Sequence, residues 1–288
     1  MKPYEAIIEK GNVRHLRPTL YDLLAHRALD YFKSGESELS KPAYAFEITA
    51  PEAFAPAAAF AKATFPSKDT FSLQRKALLL YQDLIQFHLG DAKPDALVDV
   101  DIDRLQYVYG ASVTENKDSL YVQALRQITG KHNTATAAQA WYLLGAFFEN
   151  SASTYQPLQD TTHRYARLKA KEILERVVRD SAQKGAAWAA SYNLLHQINA
   201  PHFSFEVEKV NVPQLPFRAL VTYKNVPQLY FRLIKATNAL KNNQNRNEEK
   251  YWDALLAAPA IKNWQQTLPQ TGDMQEHRVE VKVDALPV

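Results

Sequence analysis

Cysteine is absent from the 288 residues, which removes disulfides, thiol nucleophiles and cysteine metal sites together. The compartment stays open, because exported proteins can also lack cysteine. Charge of one sign is missing as well: 34 Lys and Arg stand against 31 Asp and Glu, a net of +3. Nucleic acid requires a concentrated basic face; none is visible, and no nucleic-acid partner is expected. Apolar runs fall far short of the roughly 20 residues that span a bilayer, and Met1-Lys2-Pro3-Tyr4 does not lead into a signal-peptide core. Motif chemistry is equally thin. None of the eight histidines belongs to an HExxH pair, and Leu125 stands where a phosphate loop ending in Gly130-Lys131 needs glycine.

What is present is periodicity. With 46% hydrophobic residues the chain can bury real cores, and its length makes two domains the natural expectation. Leu16 to Phe32 places Leu20, Leu23, Leu24, Ala28 and Tyr31 on one helical face, with Pro18 in the first turn. Residues 34 to 70, broken by Pro42, Pro51, Pro56 and Pro66, read as loop with one short helix over Ala57 to Ala63. Leu73 to Leu89 resumes a helix that stops at Gly90. Helices from about Arg104 to Ser112 and from Lys117 to Thr129 follow as antiparallel neighbours.

Thr134 to Asn150 carries Trp141, Leu144, Gly145 and Phe148 at the spacing of the first helix of a tetratricopeptide repeat, in which Gly145 allows close approach of a partner helix. That partner is Thr162 to Ala182, with Ala166, Ala170, Leu174 and Val177 inward. The intervening Ser151 to Asp160 is long for a strict repeat, so the hairpin is tetratricopeptide-like. A last helix, Ala186 to Ile198, stacks Trp188, Tyr192, Leu195 and Ile198. From His202 the period switches to alternation: Phe203, Phe205 and Val207, then Pro216 to Tyr223 and Leu229 to Lys235. Asn238 to Glu249 reads as an exposed crossing loop, followed by a short helix at about Lys250 to Ala258 and a loop containing Trp264. His277, Val279, Val281 and Val283 form the cleanest alternation. The expected fold class is α+β: tetratricopeptide-like antiparallel helix hairpins over 1–201, then a smaller β-sandwich over 202–288. Those 87 residues offer about four strands, short of the roughly 100 residues of a seven-stranded sandwich, so an incomplete β-region and a fragment of a longer chain are expected.

Candidate chemistry is weak when weighed residue by residue. Asp99, Asp101 and Asp103 have the alternation that opens a calcium loop, but Arg104 stands at the glycine position and Gly110 at that of the bidentate glutamate. A solvated loop whose last aspartate caps the next helix is the expectation. Asp22 and His26, four apart, read as a local pair without a nucleophile, and His88 as a hydrogen-bonded core residue. No cofactor or metal is expected. Trp141, Tyr142, Trp188 and Tyr192, with Phe147 and Phe148, are candidates for a concave interaction surface; packing between helices is the competing account.

HLRPTLYDLLAHRALDYF (His15 to Phe32), the tetratricopeptide-like block and FEVEKVNVPQLPFRALVTYKNVPQLYFRLIK (Phe205 to Lys235) together resemble the N-terminal region of alpha-2-macroglobulin family proteins of Bacteroidetes-type bacteria. The resemblance runs through most of the chain, and the second motif is the more specific. It implies a long exported array of β-sandwich domains that traps or inhibits peptidases, and hence a location in the periplasm or cell envelope. The implied partners are other domains of the same longer chain, with peptidases or envelope proteins beyond them. Trapping members carry a Cys-Gly-Glu-Gln thioester far downstream; with no cysteine here, no functional residue transfers. The expected function is therefore a non-enzymatic scaffold and interaction segment of an envelope endopeptidase inhibitor. A peptide-binding helical-repeat adaptor is the alternative, which full burial of Trp141 and Trp188 would oppose. A glycan-active enzyme using Asp22 or Asp101 comes third.

Overall fold

Thr19 starts the first helix. In the computed structural model, which describes residues 11, 13–34, 42–180, 184–212, 214–235, 237 and 249–285, its hydroxyl accepts from the Asp22 amide at 3.2 Å while Asp22 Oδ2 accepts from the Thr19 amide at 2.7 Å. This reciprocal capping box opens α1 (Leu20–Lys33) and leaves Pro18 outside the helix. The buried face is Asp22, Ala25, His26 and Leu29. The expected face is corrected: Leu24 and Tyr31 are 60% and 58% exposed. A polar contact decides the rotation, because Asp22 Oδ1 meets His88 Nε2 at 2.7 Å in the interior and His88 Nδ1 meets Asp91 Oδ2 at 2.7 Å. A buried carboxylate needs such a partner, so the helix turns Asp22 inward and some leucine outward. Asp22 thus pairs with His88 instead of His26.

The chain divides into two compact units, 1–196 and 197–288, and is mixed α+β, mostly helical. In the first unit α1 is followed by a 3-10 turn (Pro51–Phe54) and α2 (Ala57–Phe60). Then come α3 (Leu73–His88), α4 (Asp95–Ala111) and α5 (Lys117–Lys131). The proline-broken segment before α3 is irregular, yet Ile48, Ala53, Phe54, Phe60 and Phe65 are buried in the main core. Buried backbone carbonyls need donors, and α3 and α4 supply them. Gln82 donates to Phe60 and Ala63 carbonyls at 2.7 Å each, Arg75 to Phe65 at 2.8 Å, and Ser112 to Ile48 at 2.8 Å. Arg104, fully buried, donates to the Ala53 carbonyl at 2.6 Å and the Ala55 carbonyl at 3.0 Å, and lies over the Phe60 ring.

The Asp99–Asp103 run is not a loop. It lies inside α4, which begins nine residues before Arg104, and this corrects the expected boundary and the capping role. Residues two apart on a helix point to nearly opposite sides and residues four apart share one, so Asp101 turns away from Asp99 and Asp103, which stay on a common face. Asp101 pairs with Arg104 at 2.6 Å, Asp103 accepts from Lys33 at 3.1 Å and Tyr81 at 2.7 Å, and Asp99 faces Arg17 at 3.8 Å. Burial lowers the Arg104 pKa and the Asp101 carboxylate opposes that lowering. Burial raises the Asp99 pKa, against the pull of Arg17.

Helices α6 (Ala138–Ala152), α7 (Ala166–Arg179) and α8 (Ala186–Asn199) complete the helical elements up to the strands. A Cβ at Gly145 would lie 2.6 Å from Leu174 Cδ2, so only glycine allows α6 and α7 this close. Ala166, Ala170, Leu174 and Val177 are the buried face of α7.

In the second unit, β1 (His202–Val207), β2 (Phe217–Lys224) and β5 (His277–Val283) form an antiparallel sheet in the order β1-β2-β5. β3 (Gln228–Ile234) and β4 (Ala260–Thr267) form a second antiparallel pair, with α9 (Glu249–Ala257) between them in sequence. Strand β4 corrects the expected Trp264 loop: Trp264 lies opposite Phe231, their rings stacked at 4.9 Å. Val221, Tyr223 and Val281 of the first sheet pack with Leu229 and Leu268 into a small core. The polar run at 238–248 lies outside the described residues.

Three stability measurements test this account. Arg104→Met leaves buried Asp101 unpaired and is expected to cost about 3–5 kcal/mol in urea unfolding, with Asp101→Asn/Arg104→Met costing less than the single change. Gly145→Ala pushes into packed Leu174 and is expected to cost about 1–3 kcal/mol. Burial, ahead of Arg17, holds the pKa of His26 down to about 4, so between that pH and its ordinary 6.5 the unfolded chain carries a proton that the folded chain lacks. Stability from this site is full above about pH 6.5 and falls by up to about 3 kcal/mol as pH drops to 4. Unfolding across that range should show a shallower loss for His26→Gln than for the native chain.

Candidate functional site

The α6–α7 register that Gly145 and Leu174 establish also places Arg176 over Trp141. One turn back along α6 from Gly145 is Trp141, and forward along α7 from Leu174 are residues 176–178. The Arg176 guanidinium carbon lies 4.4 Å from the Trp141 ring centroid. The indole face attracts the cation, and its packing on both Ala138 and the main core leaves Trp141 half-buried.

Beside this pair lies an open pocket of about 300 Å³, walled by the end of α5 at Thr129–Lys131, the link through His132 to Thr134, and Val177 and Asp180 on the α7 side. The Thr134 hydroxyl accepts from the Ala137 amide at 3.2 Å within the turn that leads into α6. Thr136 donates to Asp95 at 2.8 Å and ties the same turn to α4. Lys131 and Arg176 have no carboxylate partner among the described residues. Burial lowers the His132 pKa, reinforced by Lys131 and opposed by Asp101 and Asp95. An aromatic face beside two cations suits a ligand that combines an apolar group with a carboxylate. Lys131 and His132 also line a smaller cleft of about 100 Å³ against Asp101 and Arg104.

The four candidate residues fall into separate groups. Trp141 joins Arg176. Trp188 on α8 donates from its indole nitrogen to the Val178 carbonyl at 3.1 Å and stacks on Tyr192 at 5.4 Å. Tyr192 is 49% exposed, Trp188 is half-buried and Tyr142 is half-buried. It is Ala187, not Trp188, that joins Ala138 and Val177 in the cluster beneath Trp141.

Phe147 belongs to a further aromatic group. Tyr109 and Tyr121 stack at 4.3 Å, Phe147 meets them edge-on at 6.1 Å and tilted at 6.3 Å, and Phe148 abuts Phe147 at 5.5 Å. This group borders a shallow pocket of about 320 Å³ that includes Asp118 and His163. Burial, together with a 2.9 Å bond to Asp118, pushes the Tyr109 pKa up to about 12.

Asp22 and Asp101, the carboxylates weighed for glycan chemistry, do not share a cleft: one bonds Thr19 and His88, the other Arg104. Both His88 ring nitrogens are occupied by carboxylates. Among the described residues no three His, Asp or Glu side chains converge as metal ligands. Sequence periodicity missed Arg176 and Lys131; the signal that could have found Arg176 was the register that Gly145 imposes on the hairpin. No protein-family model and no curated protein matches this chain.

Proposed function

We propose that this chain is a non-enzymatic scaffold and interaction segment of a large, envelope-associated alpha-2-macroglobulin-like endopeptidase inhibitor. The observation that carries the reading is order: a unit of helix hairpins leads directly into a unit of facing antiparallel sheets, as the resemblance of His15–Phe32 and Phe205–Lys235 implies. In this reading the α6–α7 hairpin is tetratricopeptide-like, the strands belong to a macroglobulin-type domain, and the partners are further domains of the same chain together with peptidases or envelope proteins.

A peptide-binding adaptor is the second reading, favoured by the half-exposed Trp141 beside Arg176. Such a surface binds an acidic or C-terminal carboxylate next to an apolar side chain.

Fractionation of cells that make the protein tests the first reading. An antibody raised against this chain should detect, in the periplasmic or envelope fraction, a polypeptide several times its 32.7 kDa; a species of about that mass confined to the cytosol would remove the proposal. Titration of the chain with a peptide library tests the second. Binding that weakens at least about tenfold in Trp141→Ala and Arg176→Ala supports the adaptor; no Trp141-dependent binding excludes it.

A further inference from the structure

Strand β1 is exposed at all six positions, His202 to Val207. Its register with β2 aligns Phe203 with Tyr223, Phe205 with Val221 and Val207 with Ala219. Residues directly opposite in a ladder share a face, so the three apolar side chains lie on the same face as the buried Ala219, Val221 and Tyr223. Yet Phe203, Phe205 and Val207 are 56%, 55% and 44% exposed, because the core with β3 and Leu268 gathers β2 and β5 residues and none from β1. The strand is also the edge of its sheet. Protected edges carry charged side chains, a proline or a bulge; within 202–207 the one charge is Glu206, on the polar face, Pro201 and Lys209 stand just outside, and the β1–β2 register is unbroken.

The edge sequence is complementary to itself. Run antiparallel against a second copy with Phe205 opposite Phe205, it places Phe203 opposite Val207 on the apolar face, and Ser204 opposite Glu206 and His202 opposite Glu208 on the polar face. Apolar pairs with apolar, and each carboxylate meets a hydrogen-bond donor: a hydroxyl at Ser204 and an imidazole at His202. A one-residue slip would destroy both matches.

We propose that β1 is a docking edge for a second copy of this chain, joined antiparallel about Phe205 into a continuous six-stranded sheet. Two six-residue edges make a small interface, below the size of stable dimers, so the association is weak and concentration-dependent, of roughly micromolar strength.

Sedimentation equilibrium of the whole chain between roughly 1 and 300 µM reads the association. The expected result is a monomer–dimer equilibrium that Phe205→Lys, which sets two lysines face to face, weakens at least about tenfold. His202→Glu should weaken it as well, by opposing Glu208, and His202→Glu/Glu208→His should restore it. Rescue by the swap separates loss of pairing from loss of folding. A chain monomeric at every concentration would overturn the proposal. A dimer indifferent to Phe205→Lys, or a swap that fails to restore association, would overturn it equally.

Discussion

The helical unit depends on how a buried, irregular segment satisfies its own carbonyls. Residues 48–65 contribute Ile48, Ala53, Phe54, Phe60 and Phe65 to the main core without a regular ladder to absorb their backbone groups. An unpaired buried carbonyl costs on the order of 1–3 kcal/mol, and several would outweigh the hydrophobic gain. Side chains from α3 and α4 meet that demand: Arg75, Gln82, Arg104 and Ser112 each reach one or more of these carbonyls. Arg104 is the costly member, since a buried guanidinium must itself be neutralised. Asp101, one turn earlier on the same helix, does so at 2.6 Å, and the Phe60 ring covers its face. The acidic run that looks like cation chemistry is thus partly the counter-charge for a cation built into the protein.

Helix existence was legible in the sequence because apolar spacing is a local property; the helices after residue 70 stand close to where periodicity places them, except α4, which begins at Asp95 instead of about Arg104. Rotation and polarity were less legible. On α1 the leucines outnumber the polar candidates, yet Asp22 faces inward because His88, 66 residues later, supplies its partner. No window along the chain contains that information. The same holds for α4, whose alternating aspartates imitate a loop until Lys33, Tyr81 and Arg17 appear as three separate partners. Strand β4 failed for a different reason: Ile261 to Thr267 is largely exposed, so it lacks the alternation that marks a half-buried strand, and only the Phe231–Trp264 stack betrays it.

The candidate site divides along the same line. The aromatic residues on α6 and α8 could be singled out by composition, but their grouping could not. Trp141 and Trp188 look alike in sequence, each on a helix beside another aromatic, Tyr142 next to the first and Tyr192 one turn after the second. One ends beside Arg176 at an open pocket and the other is tethered to the Val178 carbonyl. The difference arises from the partner helix. Gly145 fixes how α7 slides along α6, and that slide decides which cation meets which ring.

In the second unit β1 and β5 flank β2 with nearly the same alternation, and their fates differ. Alternation specifies which face a side chain occupies, whereas burial requires a second layer over that face. The Val281 and Val283 side chains of β5 are buried, and Val281 shares a core with Leu229 and Leu268. Among the described residues no such layer covers Phe203, Phe205 and Val207. Burying side chains of this size is worth about 1.5–3 kcal/mol each. With these side chains 44–56% exposed, folding of the unit leaves roughly half of that free energy unrealised, and a polypeptide that covers the β1 face can release it.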